Sequence, residues 1–576
     1  MRNLIATVCI GITIVAGRLA GPGAEPVTHG EQVTRSMIVR GTSAAVAGSQ
    51  VEDVGGSVTH HLSIIDSVAA RLTEEQLAAL RSRAGVLSIY DDAAVDLVSW
   101  GDCDGDEVAY TEVPALVEAD ALHGQGIDGG GVTVAVLDTG AWHQYPGLLY
   151  KAGGGYRPIV RYDAITNTFG KAKDDNGHGT HVAGIIANSD VAEGPVPRYN
   201  GIAPAAGLAL VKAFDVNGAG TYADVIRGLD WIRTHKSLFG IRVLNLSFSA
   251  TPQSYYWDDP LNQAVMRLWQ AGIVVVTSAG NGGPTPMSVS VPGNVPYVVT
   301  VGAMSDAGTP GDGDDDFLAT FSAAGPTVEA FVKPEVVAPG GRVSAVMRID
   351  HQIAFAHPES VVGPNYFRMS GTSQAAAAVS GIVALMLDAD PWLTPDEVKC
   401  RLMDSARSAV AGSTGELAYS PLQQGAGLVA AAGAVASSEL TCANQGLDIE
   451  YDVAGVEHYM GPVRWDSDSE SFYVEGAGYS WDGALAGGGY AWIGGSPWIT
   501  GSPWITGSPW ITGSPWITGS PWITGSPWIT GSPWITGSPW ITGSPWITGI
   551  PWEDEPYAWN SGLAEPATVG GWVGQE

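Results

Sequence analysis

Four short segments of the chain carry an acid, an imidazole, an amide and a hydroxyl, in that order. They are Asp138 within 134–140, His178 within 176–184, Asn281 within 278–282 and Ser373 within 371–376. A serine hydroxyl needs a base to take its proton, and histidine titrates near neutrality. A carboxylate can fix the imidazole tautomer, and an amide donor can hold an oxyanion. Together these groups predict nucleophilic acyl transfer.

The sequence around these groups predicts strands and helices that would position them. Residues 132–137 form an apolar, β-branched run that predicts a buried parallel strand ending at Asp138. Residues 273–277 predict a second such strand, just before Asn281. Polar residues at the carboxyl ends of parallel strands are where open α/β sheets place their sites. We therefore expect both side chains at one edge of a sheet.

Two helices are predicted beside the base and the nucleophile. His178 lies in a glycine-flanked turn, and the small apolar run 181–187 predicts a helix. Ser373 precedes the small, helix-forming run 374–385. Ser373 should therefore lie at a helix N-terminus, where free N–H groups favour developing negative charge.

The order Asp138, His178, Ser373 is that of subtilisin. From about Gly126 to Ala406 the chain resembles the subtilisin-like serine proteases, or subtilases. The resemblance implies that Asn281 donates to the oxyanion, that His178 is the base and that His181 is structural. Gln374 stands where the family usually has methionine, and the proline that usually follows is absent.

A further segment resembles the family's peptide-binding strand. The run 243–249 aligns with the strand whose end pairs with bound peptide, which makes Ser247, Phe248 and Ser249 candidate substrate-binding residues. Phe248 and Ser249 replace the usual Leu and Gly. Main-chain pairing tolerates such changes, whereas the shape of the specificity pocket depends on them.

Strands and helices alternate from Gly126 to about Ala436. This pattern predicts an α/β fold, a mostly parallel subtilisin-like sheet with helices on both faces. We assign the catalytic domain to residues 111–440. A small α+β unit precedes it, and a low-complexity repeat tail follows it.

The N-terminal region predicts export and maturation. Residues 1–24 have a positive start and a short apolar run, as in a secretory signal peptide cut after Ala24 or Ala20. Residues 36–97 predict strand, helix, strand, helix, strand. This pattern resembles the inhibitory propeptide of subtilases, which we assign to 25–110, with cleavage between Leu97 and Val113. The alternative is a permanent accessory domain.

The composition limits partners and cofactors. The chain has 576 residues and a net charge of −32, which excludes nucleic-acid binding through phosphate neutralisation. No cofactor is required by the predicted chemistry. The acidic run 312–316 is either solvated or a calcium loop, and subtilases often bind structural Ca²⁺. After signal removal three cysteines remain, of which Cys400 and Cys442 are predicted to pair, with Cys103 near the propeptide junction.

The C-terminal region changes character. Residues 441–494 are acidic and rich in glycine, and we interpret them as a linker. The hexapeptide Gly-Ser-Pro-Trp-Ile-Thr is then repeated nine times from Gly495 to Thr548, and residues 549–552 close the 495–552 array before the final segment, 553–576. As a strand or as polyproline II, the array would present its tryptophans as a ladder. It is either a disordered, sticky tail or an element for surface attachment or self-association.

The leading hypothesis is a secreted or cell-surface serine endopeptidase that hydrolyses polypeptides through an acyl-enzyme on Ser373. It would be made as a self-processing precursor, with its own propeptide as a partner. The rival hypothesis is a surface-binding protein that uses an inactive protease scaffold to present the Trp repeat. An esterase with the same triad fits the chemistry but not the family segments.

Overall fold

The computed structural model describes residues 34–97, 111–192, 198–309, 313, 315–411, 416–475, 477, 479–484, 490 and 492–493. The predicted signal peptide, the propeptide junction with Cys103, residues 312 and 314 of the acidic run and the hexapeptide array lie outside these residues. Predictions about those segments therefore stay predictions.

The elements up to the end of the base helix are, in chain order, β1 (Arg35–Gly41), α1 (Ala44–Asp53), β2 (Ser57–Leu62), β3 (Ser67–Leu72), α2 (Glu74–Leu80), β4 (Val86–Asp91), β5 (Ala94–Leu97), α3 (Val113–Leu116), α4 (Ala119–His123), β6 (Thr133–Asp138), α5 (Pro146–Leu149), β7 (Ile159–Asp163), β8 (Thr168–Phe169) and α6 (His178–Ala187). The next group is β9 (Val191–Ala192), β10 (Arg198–Tyr199), β11 (Gly207–Lys212), β12 (Ala219–Thr221), α7 (Tyr222–Phe239), β13 (Ile241–Leu246), β14 (Phe248–Ser249), α8 (Pro260–Gln270), β15 (Val274–Ser278), β16 (Val299–Ser305), β17 (Phe317–Leu318), β18 (Val336–Pro339) and β19 (Val343–Val346).

The remaining elements are α9 (Gln352–Ala356), β20 (Val361–Val362), β21 (Tyr366–Met369), α10 (Thr372–Ala389), α11 (Pro395–Asp404), β22 (Ser408–Ala411), β23 (Glu416–Leu417), α12 (Pro421–Gln424), α13 (Ala431–Ala436), α14 (Ile449–Val453), β24 (Val463–Asp466), β25 (Ser471–Val474), β26 (Tyr479–Trp481) and β27 (Trp492–Ile493). Two 3₁₀ turns, Ser63–Ile65 and Pro358–Ser360, complete the set.

A nine-stranded sheet forms the centre of the catalytic region. Its path is β17-β16-β15-β13-β6-β11-β7-β8, and β18 also pairs with β16. The inner pairs are parallel, and only the edge strands β17 and β8 are antiparallel. The helices α6 and α10 pack together, as do α7 and α8. This is the subtilisin-like α/β architecture that the sequence predicted.

The helix of the candidate nucleophile lies in the core. Thr372–Ala389 is the one described helix with the length and hydropathy of a membrane span, and 89% of it is buried inside the protein. Small residues explain its position, because Gly381 sits where a Cβ would come within 2.5 Å of Ile202. The helix thus packs closely on the loop before β11, and it also packs on β13, β15 and β16 of the sheet.

The N-terminal unit is a separate small layer. Its four antiparallel strands have the order β2-β3-β1-β4, and they form their own apolar core with α1 and α2. The sequence predicted one strand between the two helices, whereas the structure has two, β2 and β3. The short 3₁₀ turn Ser63–Ile65 separates them, and its isoleucines pack on the catalytic core.

The prediction that residues 441–494 form a linker is wrong for the part of this segment that the structure describes. They form α14, the three-stranded sheet β24-β25-β26 and the edge strand β27. Trp481 and Trp492 are buried in two apolar clusters that include catalytic-region residues. Widely spaced aromatic residues thus anchor a glycine-rich segment that lacks helical or strand periodicity.

A disulfide joins this extension to the catalytic region. Cys400 on α11 is bonded to Cys442, which confirms the pairing predicted from the sequence. Both cysteines are buried.

Candidate active site

The acid and the base meet at the carboxyl edge of the sheet. Asp138 ends β6 and His178 begins α6, and both side chains are fully buried. Nδ1 of His178 lies 2.8 Å and 2.9 Å from the two carboxylate oxygens of Asp138. Nε2 of His178 is buried and has no hydrogen-bond partner among the described residues. This geometry fixes the imidazole and leaves its second nitrogen available for proton transfer.

The turn before His178 depends on a carboxylate that the sequence reasoning missed. Asp174 is buried and accepts hydrogen bonds from the main chain of Asn176 and Gly177 and from both N and Oγ1 of Thr180. Burial opposes its ionisation, but the charge of His351 and these hydrogen bonds outweigh burial and lower its pKa. The sequence feature that could have indicated Asp174 is the run Asp-Asp-Asn-Gly just before His178, which is typical of a hydrogen-bonded turn.

The candidate nucleophile lies in the first turn of α10. Ser373 is buried, and its hydroxyl donates to the carbonyl of Ser247 at 3.1 Å. The hydroxyl of Ser247 donates in turn to the carbonyl of Ser373 at 3.0 Å. Ser373 therefore lies at a helix N-terminus, and the structure adds that this N-terminus lies beside the end of β13.

Asn281 has the geometry of an oxyanion donor. Its Oδ1 accepts from the main-chain N of Thr372 at 3.0 Å and from the Thr372 hydroxyl at 2.8 Å. These two bonds orient the amide, and Nδ2 is buried without a partner in the described part of the chain. A buried, oriented N–H without an acceptor can bind negative charge that forms during a reaction.

The second histidine of the motif is held by the fold. Nε2 of His181 hydrogen-bonds the carbonyl of Phe367 at 3.0 Å, on the strand that leads into the nucleophile segment. Burial lowers the pKa of His181 to about 3, so its imidazole stays neutral. His181 connects the base helix to β21.

The candidate substrate residues lie in an unusual three-stranded arrangement. β5 of the N-terminal unit lies between β12 and β14 and is antiparallel to both. Leu97 is opposite Phe248, and Asp96 is opposite both Ser249 and Ala219. The ring of Phe248 is buried against Phe214, with 5.2 Å between centroids. The strand β5 thus runs along β14 towards Ser247 and Ser373.

No group of three or more His, Cys, Asp or Glu side chains is arranged to hold a metal ion within the described ranges. The side chain of Asp315, at the end of the acidic run, accepts from the hydroxyl of Thr309. The calcium hypothesis for residues 312–316 remains a prediction.

Comparisons with known proteins agree with this architecture. The sequence profile of the subtilase family, described as Peptidase S8, matches residues 129–428. Serine protease AprX of Bacillus subtilis is 39% identical over 302 residues, which cover 50% of this chain and 66% of that protein. Subtilisin E of the same organism is 29% identical over 374 residues, covering 63% of this chain and 83% of the relative.

A solved structure is also similar. Fervidolysin from Fervidobacterium pennivorans, a keratinolytic enzyme related to subtilisin, superposes with a TM-score of 0.54 at 23% identity. The superposition covers 72% of this chain and 62% of fervidolysin, and it supports the fold. The chain belongs to the subtilase family, the subtilisin-like serine proteases.

Proposed function

We propose that the protein is a secreted serine endopeptidase that hydrolyses peptide bonds through an acyl-enzyme on Ser373. His178 Nε2 takes the proton from the Ser373 hydroxyl as Oγ attacks the scissile carbonyl carbon. Asp138 holds Nδ1–H and stabilises the imidazolium. Asn281 Nδ2 and main-chain N–H groups at the start of α10 bind the oxyanion.

The tetrahedral intermediate then collapses. The C–N bond breaks, and the imidazolium gives its proton to the leaving amine. Water, deprotonated by the same imidazole, attacks the ester carbonyl and releases the acyl product from Oγ. The observation that supports this proposal is that the contacts Asp138–His178, Ser247–Ser373 and Asn281–Thr372 lie just at or after the carboxyl ends of the neighbouring strands β6, β13 and β15. This assembly does not favour the alternative of a binding protein on an inactive scaffold.

The test compares wild-type protein with Ser373→Ala and His178→Ala. Triad members act as a unit, so each variant should lose on the order of 10⁶-fold in kcat on casein or a peptide. Ser373→Ala removes only a hydroxyl and should fold; because the His178 side chain is fully buried, circular dichroism should check the fold of His178→Ala. Ser405→Ala, at the half-buried C-cap of α11, is a control outside the site that should keep full activity. Undiminished hydrolysis by either triad variant would refute the assignment.

We further propose that residues 25–110 are an inhibitory propeptide. The placement of β5 between β12 and β14 supports this, because a peptide held there occupies the substrate path as an added strand. The unit is also fixed at α7, where Asp92 Oδ1 accepts from the main-chain N of Ala223 at 2.8 Å and His60 Nε2 lies 3.2 Å from Asp224. Many contacts of this kind suit an inhibitor that folds together with its enzyme.

Maturation can be tested separately from hydrolysis. The Ser373→Ala precursor should retain the N-terminal unit, while wild-type protein should lose it by self-cleavage. N-terminal sequencing of the wild-type enzyme should begin between Ser99 and Val113. A mature, active protein that still begins near Glu25 would make the unit a permanent domain.

The array 495–552 is proposed to mediate attachment or self-association, and hydrolysis should not need it. Each tryptophan offers roughly 200 Å² of area, at roughly 25 cal/mol per Å² buried. Because α14 and β24–β27 pack on the catalytic region, the chain should be shortened after Gly494 rather than near Gly446. The shortened protein should keep peptide hydrolysis and lose partition to cells or wall polymer. Equal partition of both forms would contradict this role.

A further inference from the structure

The residues just before the hexapeptide array are a degenerate copy of its unit. Residues 489–494 read Gly-Tyr-Ala-Trp-Ile-Gly, in register with Gly-Ser-Pro-Trp-Ile-Thr. Trp492 and Ile493 lie six residues before Trp498 and Ile499, the first Trp-Ile pair of the array. They therefore keep the six-residue spacing of the array. Part of this copy is described by the structure, and it shows how one Trp-Ile pair binds to the catalytic region.

The Trp-Ile pair of the copy adds a strand to a sheet edge. β27 pairs with β22 in antiparallel fashion, with Trp492 opposite Ala409 and Ile493 opposite Ser408. β27 is the outer strand of the sheet β23-β22-β27. Main-chain pairing of this kind depends little on side chains, so other segments with the same backbone can form it.

Trp492 fills an apolar pocket, which we name the Trp492 pocket. Its ring is 7% exposed and lies 6.1 Å from the ring of Tyr419 in a stacked arrangement. The pocket is formed by Met304, Leu318, Val337, Ala409, Tyr419 and Leu428. The pocket is therefore made by the catalytic region and is specific for a large aromatic side chain next to β22.

The hexapeptide unit can make most of the contacts that are described for the copy at residues 489–494. The main-chain N–H of Tyr490 donates to the carbonyl of Asp316 at 2.8 Å, and a serine at that place keeps the same N–H. The proline that replaces Ala491 lacks an N–H, which an edge strand tolerates. Among the contacts described for Tyr490, the ring contact with Tyr419, at 5.4 Å between centroids, has no counterpart in the unit.

We propose that the Trp492 pocket and the β22 edge form a binding site for the Trp-Ile pair of the hexapeptide, and that units of the same chain can replace Trp492 and Ile493 there. The Trp-Ile pair that replaces Trp492 and Ile493 comes from the same chain, because Trp498 follows Ile493 by five residues and so reaches the site on a short tether. A tether of that length gives effective concentrations on the order of millimolar, above those of separate molecules in dilute solution. The array is thus a series of interchangeable anchors.

The site can be tested by reading the strand register with disulfides in the full chain, in a Cys103→Ser background. Ser408→Cys with Ile493→Cys reports the register of the structure. Ser408→Cys with Ile499→Cys reports a shift by one unit. Ser496→Cys, in the same tether but out of register with Ile493, is the matched control for chance collisions.

The expected result is an intramolecular 408–499 disulfide that rises at least about tenfold when Trp492→Ala vacates the pocket, since burial of a large side chain decides occupancy. The 408–496 pair should not rise with it. No increase in 408–499, or an equal increase in 408–496, would overturn the proposal. A 408–499 disulfide found only between two molecules would overturn the choice of the same chain as the source.

Thermal unfolding gives a second measurement. Trp481 is equally buried, but its segment has no copy in the array. Trp481→Ala should lower the Tm by several degrees, because its cavity stays empty. Trp492→Ala should lower it much less, because the next unit refills the pocket. Equal loss in the two variants, or failure of Trp492→Ala to fold, would contradict refilling.

Discussion

Ser247 and Ser373 are joined by two hydrogen bonds of opposite direction, each from the hydroxyl of one residue to the carbonyl of the other. Asn245 Nδ2 donates to the Ser247 hydroxyl at 2.8 Å and so orients it. The end of β13, the candidate peptide-binding strand, is therefore hydrogen-bonded directly to the candidate nucleophile Ser373.

Replacing Ser247 should affect turnover more than binding. Ser247→Ala removes the bond to the Ser373 carbonyl and leaves the amide of Asn245 without its acceptor. One hydrogen bond contributes about 1 kcal/mol, so kcat on a small peptide should fall by about fivefold with KM little changed. Ser249→Ala, two residues on, is the control, and a similar fall in kcat there would contradict the coupling.

Asn281→Ala should lower kcat by roughly 10²–10³ and leave KM nearly unchanged, because the donor acts on charge that forms only in the transition state. Thr372→Val, which removes one of the two bonds orienting the amide, should have a smaller effect in the same direction. Steady-state kinetics on one peptide substrate would measure both. A rise in KM without a change in kcat would exclude the oxyanion role.

Glu329 should make stability depend on pH. The side chain is buried, one oxygen accepts from the main-chain N of Tyr256 at 2.6 Å, and the other has no partner among the described residues. Burial raises the pKa of Glu329 from 4.5 to about 7. The folded state therefore binds an extra proton between these values, and its stability falls as pH rises through that window.

Glu329→Gln should remove this dependence. At pH 8 the variant should be more stable than wild type by on the order of 2 kcal/mol, and at pH 4.5 the two should be nearly equal. Urea unfolding at both pH values would measure the difference. Glu335→Gln is the contrasting control: Glu335 is buried between Lys333 and Lys399, at 2.7 Å and 2.8 Å, so its neutralisation should destabilise. Parallel pH curves for wild type and Glu329→Gln would refute the prediction.

Arg157 should be a main determinant of stability. Its buried guanidinium donates to the carbonyls of Gly147, Leu148, Tyr150, Ala187, Pro204 and Ala206. Burial lowers its pKa to about 10, so it remains charged at neutral pH. Arg157→Met would remove all of these bonds; Gly147, Tyr150 and Pro204 would still accept from Ser189 or Ala152, and loss of the guanidinium bonds should cost about 3 kcal/mol or more. The exposed Arg233→Met should change the unfolding free energy by less than about 0.5 kcal/mol, and a similarly small loss for Arg157→Met would contradict this role.

Some features followed from the sequence because their signals are local. The strands before Asp138 and Asn281 and the helices beside His178 and Ser373 depend on residue types within a few positions, and the structure has all of them. The Cys400–Cys442 disulfide was also predicted, since these two cysteines flank the end of the predicted catalytic domain.

Other features depend on contacts between distant parts of the chain. The insertion of β5 between β12 and β14 and the burial of Trp481 and Trp492 join separate regions of the chain, and even the carbonyls around Arg157 lie 7 to 49 residues from it. Local periodicity carries no record of such partners. The sequence by itself determined the chemistry and the family of the protein, because nucleophile, base, acid and amide lie in recognisable short segments. Only the tertiary structure decided that β5 lies between β12 and β14 and that Trp481 and Trp492 pack on the catalytic region, because burial and strand pairing choose those partners.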